Sequence, residues 1–179
     1  MPLAGQKSLC EKNASQIVSR DAKASRTHIA NNVKKAFVTH YRIDGVVITE
    51  GNKCDYLLFN ESTKDAYLIE LKGSRIVFAA KQLDETAKKL SSALSGYTLH
   101  FRIVASKCAT HAIESQDFQK YKRDWKKKYK LIPAKAEHSW KCRMDYVRVL
   151  DSYLQNVWLK LLKPRTIKDS EIGVILSRD

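Results

Sequence analysis

Apolar and polar positions follow two different patterns along the N-terminal half of the chain. Residues 13–38 contain few helix breakers and a partial apolar stripe at helical spacing, which predicts a first helix, or two helices if residues 25–27 interrupt it. Residues 41–49, 54–60 and 66–72 are short, mostly apolar runs separated by polar turns. Such runs predict three strands joined as an antiparallel meander.

The most regular pattern in the sequence follows the third predicted strand. Its apolar residues recur at alternating spacings of four and three and form one helix face: Ile76, Ala80, Leu83, Ala87, Leu90 and Leu94. Gly96 ends this helix, and residues 97–105 predict a fourth strand that can lie parallel to the third. This order of elements predicts an α/β (α+β) fold with a mixed central sheet flanked by helices.

The C-terminal part of the chain has a weaker pattern. It predicts a basic helix at residues 115–130, a loop at 131–141, a strand at 144–150, a helix at 152–162 and a strand at 172–176. No internal repeat or low-complexity linker is visible, so we predict a single domain. We assign residues 1–12 to a loose N-terminal tail and 13–179 to the domain, with a core at 13–105 and a C-terminal extension at 106–179.

The charge balance points to a polyanionic partner. The chain has 33 Lys and Arg residues against 19 Asp and Glu residues, a formal net charge of +14. Lysine and arginine near a phosphate release condensed counterions, so such an excess favours nucleic acid. We predict no membrane partner, because no strongly hydrophobic amphipathic helix accompanies the charge and no segment approaches the ~20 apolar residues of a membrane span.

Cysteine and histidine spacing argues against a zinc site. The four cysteines form no CxxC pair, and the five histidines are scattered without ligand-like spacing. The first ten residues contain no apolar leader segment. We therefore predict a cytoplasmic protein with reduced thiols.

Three ionisable residues fall at the ends of neighbouring predicted strands. Asp55 opens the second strand, and Glu70 and Lys72 close the third. Adjacent strand ends meet in a hairpin and residues two apart share a face, so we expect these side chains to converge at one end of the sheet. Leu71 is expected to point to the other face, into the core. Carboxylate oxygens at this density suit Mg²⁺ or Mn²⁺, with the backbone carbonyl of Leu71 as a further ligand.

The same residues also fit a plainer interpretation, in which Glu70 and Lys72 form a surface ion pair and Asp55 belongs to a turn. The spacing alone matches many sequences by chance. The predicted order of helices and strands around the three residues favours the metal site.

The segment CDYLLFNESTKDAYLIELKG resembles the catalytic hairpin of the PD-(D/E)xK nuclease superfamily, with Cys54 in place of the usual proline. The resemblance implies a restriction-endonuclease-like αβββαβ core over residues 13–105. It also implies that Asp55 and Glu70 are metal ligands and that Lys72 is the catalytic lysine. Many such nucleases pair to cut both strands, so the resemblance is compatible with a homodimer.

Two further features follow from the resemblance. Gln82 resembles the glutamine with which some branches support the site, and its alternative role is that of a solvated helix residue. Many members add an acid from the first helix, for which Glu11 and Asp21 are poor matches. Either the site uses fewer ligands, or an asparagine, Asn31 or Asn32, substitutes for the acid. This departure puts a second metal ion in doubt.

A basic surface is expected beside the site. In residues 117–130 the lysines are interleaved with aromatics, which we expect to pack inward while the cations face DNA. The predicted phosphate contacts are Arg75, Lys81, Lys88, Lys107, Lys122, Arg123, Lys126 and Lys127.

The sequence therefore predicts a metal-dependent nuclease that hydrolyses phosphodiester bonds, most simply in DNA, with RNA left open. A bacterial, phage or mobile-element setting would suit such a domain. The alternative is a non-catalytic nucleic-acid-binding module that keeps the fold. A third hypothesis is a basic adaptor for an acidic protein.

Overall fold

A computed structural model describes residues 3–21, 26–105, 110–129, 148–149 and 172–176. These residues form a mixed α+β fold with a two-stranded hairpin and a six-stranded mixed sheet. The strands are β1 Gln16–Arg20, β2 Thr27–Asn31, β3 Val38–Arg42, β4 Tyr56–Asn60, β5 Asp65–Lys72, β6 Thr98–Ala105, β7 Arg148–Val149 and β8 Ile172–Leu176. The helices are α1 Ile76–Lys89, α2 Thr110–Glu114 and α3 Gln116–Tyr129.

The order of strands in the large sheet is β3-β4-β5-β6-β8-β7. Strands β3, β4 and β5 form the predicted antiparallel meander, in which Tyr56 lies opposite Ile69. Helix α1 then crosses over to β6, which lies parallel to β5 with Leu71 beside Val104. Strand β8 extends the sheet parallel to β6, and β7 pairs antiparallel with β8. The predictions for residues 131–141 and 152–162 lie outside the described residues.

The predicted first helix over residues 13–38 is wrong. The chain forms the antiparallel hairpin β1–β2 there, with Gln16 opposite Asn31. Burial alternates with the period of a strand, but two of the inward positions are the polar residues Ser19 and His28. The Oγ atom of Ser19 lies 3.0 Å from Nε2 of His40 on β3, so a polar contact replaces the apolar contact that would have marked the strand.

The first strand of the meander lies earlier in the chain than predicted. It was expected at residues 41–49, but β3 ends at Arg42 and residues 43–48 form a turn. Gly45 adopts a φ of 74°, a left-handed conformation that glycine tolerates at little energetic cost. The β-branched run Val46–Ile48 therefore lies in a turn, because the glycine reverses the chain before it.

The two faces of the large sheet are covered by different elements. One face packs against α1, α2 and α3, where Trp125 stacks on Phe101 with ring centroids 4.3 Å apart. The other face packs against the β1–β2 hairpin through Ile17 and Ala30. The N-terminal segment was expected to be loose, yet Leu3 is 6% exposed and lies in the core.

Helix α1 is shorter than the pattern predicted, since it ends at Lys89 and the segment up to Gly96 forms turns. Leu94 nevertheless remains buried in the core. No helix in the part of the chain described here is long and apolar enough to cross a membrane.

Candidate functional site

Asp55 lies close to Glu70 at one end of the sheet. The regular β4–β5 pairing ends where Tyr56 lies opposite Ile69, and the amide of Asp55 then donates a hydrogen bond of 3.1 Å to the carbonyl of Ile69. The carboxylate of Asp55 is near enough for its negative charge to raise the pKa of Glu70. The Oδ2 atom of Asp55 accepts a hydrogen bond of 2.7 Å from the amide of Leu71, which fixes this carboxylate at the strand end.

Glu70 is buried in an incompletely satisfied state. Its side chain lies on the helix-covered face and the residue is 1% exposed. Its Oε1 atom lies 3.1 Å from Nζ of Lys72, but its Oε2 atom is buried without a hydrogen-bond partner. Burial raises the pKa of Glu70 to about 8, the negative charge of Asp55 adds to the rise, and Lys72 opposes it. One oxygen of Glu70 therefore has a charged partner, Lys72, and the other has none.

The pKa of Asp55 is raised for the same main reason. Burial is the largest cause, and the hydrogen bond from the Leu71 amide works against it. The negative charge of Asp21 raises the pKa of Asp55 further. Two carboxylates that each resist ionisation, side by side, favour binding of a cation.

Lys72 is held in place by Gln82. Its Nζ atom donates to Oε1 of Gln82 over 2.5 Å, and Nε2 of Gln82 donates to the backbone carbonyl of Lys53 over 2.7 Å. The ammonium also lies 4.7 Å from the ring centroid of Phe78. Gln82 thus contacts both the amine and the segment that leads into Asp55.

Helix α1 holds the loop before β4 through residues that follow one another along its surface. Beyond Gln82, Thr86 Oγ1 accepts a hydrogen bond of 2.8 Å from the amide of Cys54. Lys89 Nζ donates over 2.8 Å to the carbonyl of Glu50. These α1 residues recur at helical spacing, so one face of the helix fixes the backbone that leads to Asp55.

The geometric expectation for Leu71 is met. It is 4% exposed and packs in the core cluster on the hairpin side of the sheet, opposite to Glu70 and Lys72. This alternation leaves its neighbours Glu70 and Lys72 together on the helix side.

The donor set fits a hard divalent cation held by few protein ligands. Among the described residues, no group of three or more His, Cys, Asp or Glu side chains is arranged to hold an ion. The candidate ligands are the carboxylates of Asp55 and Glu70 with the carbonyl of Leu71. Mg²⁺ commonly binds through one or two carboxylates together with waters and substrate phosphates. The Oε2 atom of Glu70, which is buried without a hydrogen-bond partner, is among these candidate ligand atoms.

The sequence interpretation missed the end of the β1–β2 hairpin at which the two strands are connected. Asp21 follows β1 and forms an ion pair of 2.6 Å with Arg26. A Cβ atom placed on Gly73 would lie 3.7 Å from Nη1 of Arg26, so this ion pair lies beside the end of β5. An alternation of apolar and polar residues would have revealed the two strands in the sequence. Polar residues at inward positions of β1 and β2 interrupt that alternation.

The predicted phosphate contacts fall into two groups. Arg75, just before α1, and Lys81, on α1, are exposed. Arg75 lies 5.2 Å from the ring centroid of Phe78, and Lys81 lies 3.9 Å from Glu85. Lys88, also on α1, pairs with Asp84 at 2.6 Å. Of the predicted contacts on α3, Arg123, Lys126 and Lys127 are exposed and Lys122 is half-buried. Lys107 lies outside the described residues.

The prediction that the aromatics of α3 pack inward is confirmed. Phe118 and Trp125 are buried, and Tyr121 and Tyr129 pack against the same core cluster. The indole Nε1 of Trp125 donates to Oδ1 of Asp84 over 3.1 Å. The aromatics therefore anchor α3 to α1 and leave its cations outward.

Comparisons of the chain with protein-family models, curated proteins and solved structures found no match. The interpretation of the site therefore depends on its own geometry.

Proposed function

We propose that the protein is a metal-dependent nuclease that hydrolyses phosphodiester bonds in DNA, on a restriction-endonuclease-like core whose first helix is replaced by the β1–β2 hairpin. The observation that carries the proposal is the pairing of Asp55 with a buried Glu70 whose Oε2 has no partner, beside the amine of Lys72. An ordinary surface ion pair would be solvated, whereas this carboxylate is buried and under-satisfied.

Each residue has a distinct role in this proposal. Asp55 and Glu70 would hold Mg²⁺ or Mn²⁺ together with the carbonyl of Leu71. An ion bound there would supply a water molecule of lowered pKa and positive charge to offset the negative charge on the phosphate. Lys72 positions the attacking water or donates to a phosphate oxygen in the transition state, where charge is greatest. Gln82 orients the amine through its 2.5 Å hydrogen bond.

A non-catalytic nucleic-acid-binding module is the second candidate. The basic face of α3 favours it, because Arg123, Lys126 and Lys127 are exposed whatever the state of Lys72. Such cations bind a phosphate backbone without any chemistry at the sheet end.

Cleavage assays separate these candidates. Plasmid and single-stranded DNA are incubated with Mg²⁺ or Mn²⁺ and the parent protein, Glu70→Gln or Lys72→Met. We expect the parent to cleave and each variant to lose about 10²–10³-fold in rate. Lys34→Met is the matched control, because Lys34 is an exposed lysine in the turn after β2.

The outcomes assign one function each. Salt-sensitive binding by every protein without cleavage by the parent would contradict the nuclease and favour the binding module. Absence of salt-sensitive nucleic-acid binding would leave the adaptor for an acidic protein. Parallel assays with RNA establish which nucleic acid is cut.

A further inference from the structure

A cavity opens beside the candidate site. Its volume is about 420 Å³, within the range of ~300–1,000 Å³ for small-ligand pockets. The first turn of α1 forms one wall, and Ala112 of α2 and Tyr121 of α3 complete it. The cavity is therefore large enough for part of a nucleotide.

Phe78 connects this cavity to the site. Its ring lines the cavity, and its centroid lies 4.7 Å from Nζ of Lys72. Arg75 also lines the cavity and lies 5.2 Å from the same centroid. A group in the cavity would thus lie one side chain away from the amine that we assign to the reaction.

The walls combine aromatic rings with cations. Phe78 and Tyr121 supply rings, and Arg75 and Lys81 are exposed cations at the same cavity. No Asp or Glu is among the described residues that line it. Rings that stack on bases next to cations that bind phosphates are typical of single-strand binding sites.

The larger cavity between α1 and α3 differs in charge. Its volume is about 660 Å³, and Asp84, Asp117 and Asp124 line it together with lysines. Carboxylates repel a phosphate, so this cavity suits a polyanion less well than the smaller one. Charge complementarity therefore selects the cavity next to Phe78.

We propose, resting on the nuclease function above, that this cavity binds an unpaired nucleobase beside the cleaved phosphate. The base stacks on Phe78 or Tyr121, and Arg75 and Lys81 contact the adjoining phosphates. A base within a duplex is stacked and paired and must leave the helix to enter such a pocket. The preferred substrate is therefore a single strand or a duplex with an unpaired end.

Fluorescence of 2-aminopurine tests base binding apart from cleavage. A single-stranded oligonucleotide that contains this base is titrated with protein in chelator, where stacking on an aromatic ring quenches its emission. We expect the parent to quench it and Phe78→Leu to bind about 5- to 100-fold more weakly. Phe78→Trp should retain the quenching because it keeps an aromatic face.

Two further variants keep the test decisive. Phe37→Leu is the matched control, because Phe37 is 39% exposed and Lys12 lies 5.5 Å from its ring centroid, as a cation does at Phe78. It should bind like the parent. Arg75→Gln alters an exposed residue outside the core and should also weaken single-strand binding, which covers the case in which Phe78→Leu does not fold.

The failures of the two proposals are distinguishable. If the parent cleaves DNA but does not quench 2-aminopurine, or cleaves DNA while Phe78→Leu quenches and binds as the parent does, the base pocket is overturned and the nuclease stands. If the parent quenches through Phe78 but cleaves nothing with Mg²⁺ or Mn²⁺, the nuclease fails and base binding by the cavity stands.

Discussion

Strand β5 carries one acidic residue near each end, and their surroundings are opposite. At its start, Asp65 lies 2.9 Å from Nε2 of His100 and accepts a 2.5 Å hydrogen bond from Thr63. Burial raises its pKa, but these hydrogen bonds and nearby positive charge outweigh burial, so the pKa of Asp65 is lowered. Near the other end, Glu70 keeps a buried oxygen without a partner, and its pKa is raised to about 8.

The contrast distinguishes a hydrogen-bonded acid from an incompletely satisfied one. Both residues belong to the same strand, so backbone geometry does not account for the difference between them. Asp65 has the partners that make ionisation favourable, whereas Glu70 is short of one cationic partner. A carboxylate that destabilises its own fold is expected where binding a ligand relieves the deficit.

Replacing an aspartate by asparagine beside Glu70 and at the start of β5 should give the largest difference in cleavage rate. Asp55→Asn removes a candidate metal ligand, and the lost charge stabilisation should lower the cleavage rate at least about 10²-fold. Asp65→Asn should leave the rate nearly unchanged. Initial rates of plasmid nicking at saturating Mg²⁺ provide the measurement, and equal losses for both variants would contradict the assignment of the site.

Removal of the hydrogen-bonding partner at each end should have a smaller effect. Gln82→Ala frees Lys72 from its 2.5 Å contact and should lower the cleavage rate about tenfold, as expected for a residue that orients a functional group. Thr63→Ala removes a partner of Asp65 and should affect stability only. An unchanged rate in Gln82→Ala would show that the amine needs no support.

Stability in chelator should change in opposite directions at the two ends. Glu70→Gln removes a buried, poorly solvated charge and should raise the free energy of unfolding by about 1 kcal/mol, or Tm by about 2–4 °C. Asp65→Asn loses hydrogen bonds to a charged group and should lower stability by a similar amount. Thermal unfolding at a pH above the pKa of Glu70 measures both changes, and a fall in Tm for Glu70→Gln would contradict the interpretation of its burial.

The smallest expected effect is on the pH dependence of the free energy of unfolding, which should differ between Glu70 and Asp65. The pKa of Glu70 rises from 4.5 to about 8 on folding, so folded protein holds this proton more tightly and stability falls as pH rises through that range. The pKa of Asp65 falls below 3.8, so its contribution is lost only as pH falls below that value.

Urea unfolding across this range, with the curve of each variant subtracted from that of the parent, isolates the two contributions. Glu70→Gln should remove the loss at neutral pH, and Asp65→Asn should remove the loss in acid. Added Mn²⁺ should abolish the Glu70 effect in the parent, and persistence of that effect would argue against Glu70 as a ligand.

The β4–β5 hairpin and α1 were predictable from the sequence because apolar side chains mark their buried faces. The β1–β2 hairpin was not, because Ser19 and His28 occupy inward positions and Ser19 finds its partner His40 on another strand. That error also hid the ion pair of Asp21 with Arg26.

The placement of the candidate site was predictable to a different degree. Strand pairing and alternation were enough to bring Asp55, Glu70 and Lys72 to one sheet end. The raised pKa of Glu70 was not predictable, because it depends on the packing that buries the carboxylate. The pattern of apolar and polar residues does not show which side chains cover a given residue.

Because α1 binds the loop before β4 through several hydrogen bonds, the length of this loop determines where Asp55 lies. Three residues of α1 bind this loop at intervals set by the helical pitch. Gln82 donates to the backbone carbonyl of Lys53, Thr86 accepts from the amide of Cys54, and Lys89 donates to the carbonyl of Glu50. The side-chain amide of Gln82 accepts from the ammonium of Lys72 and donates to a backbone carbonyl at once. An inserted or deleted residue would shift the loop relative to these three contacts and move Asp55 away from Glu70, even though every side chain of the site remained in the sequence.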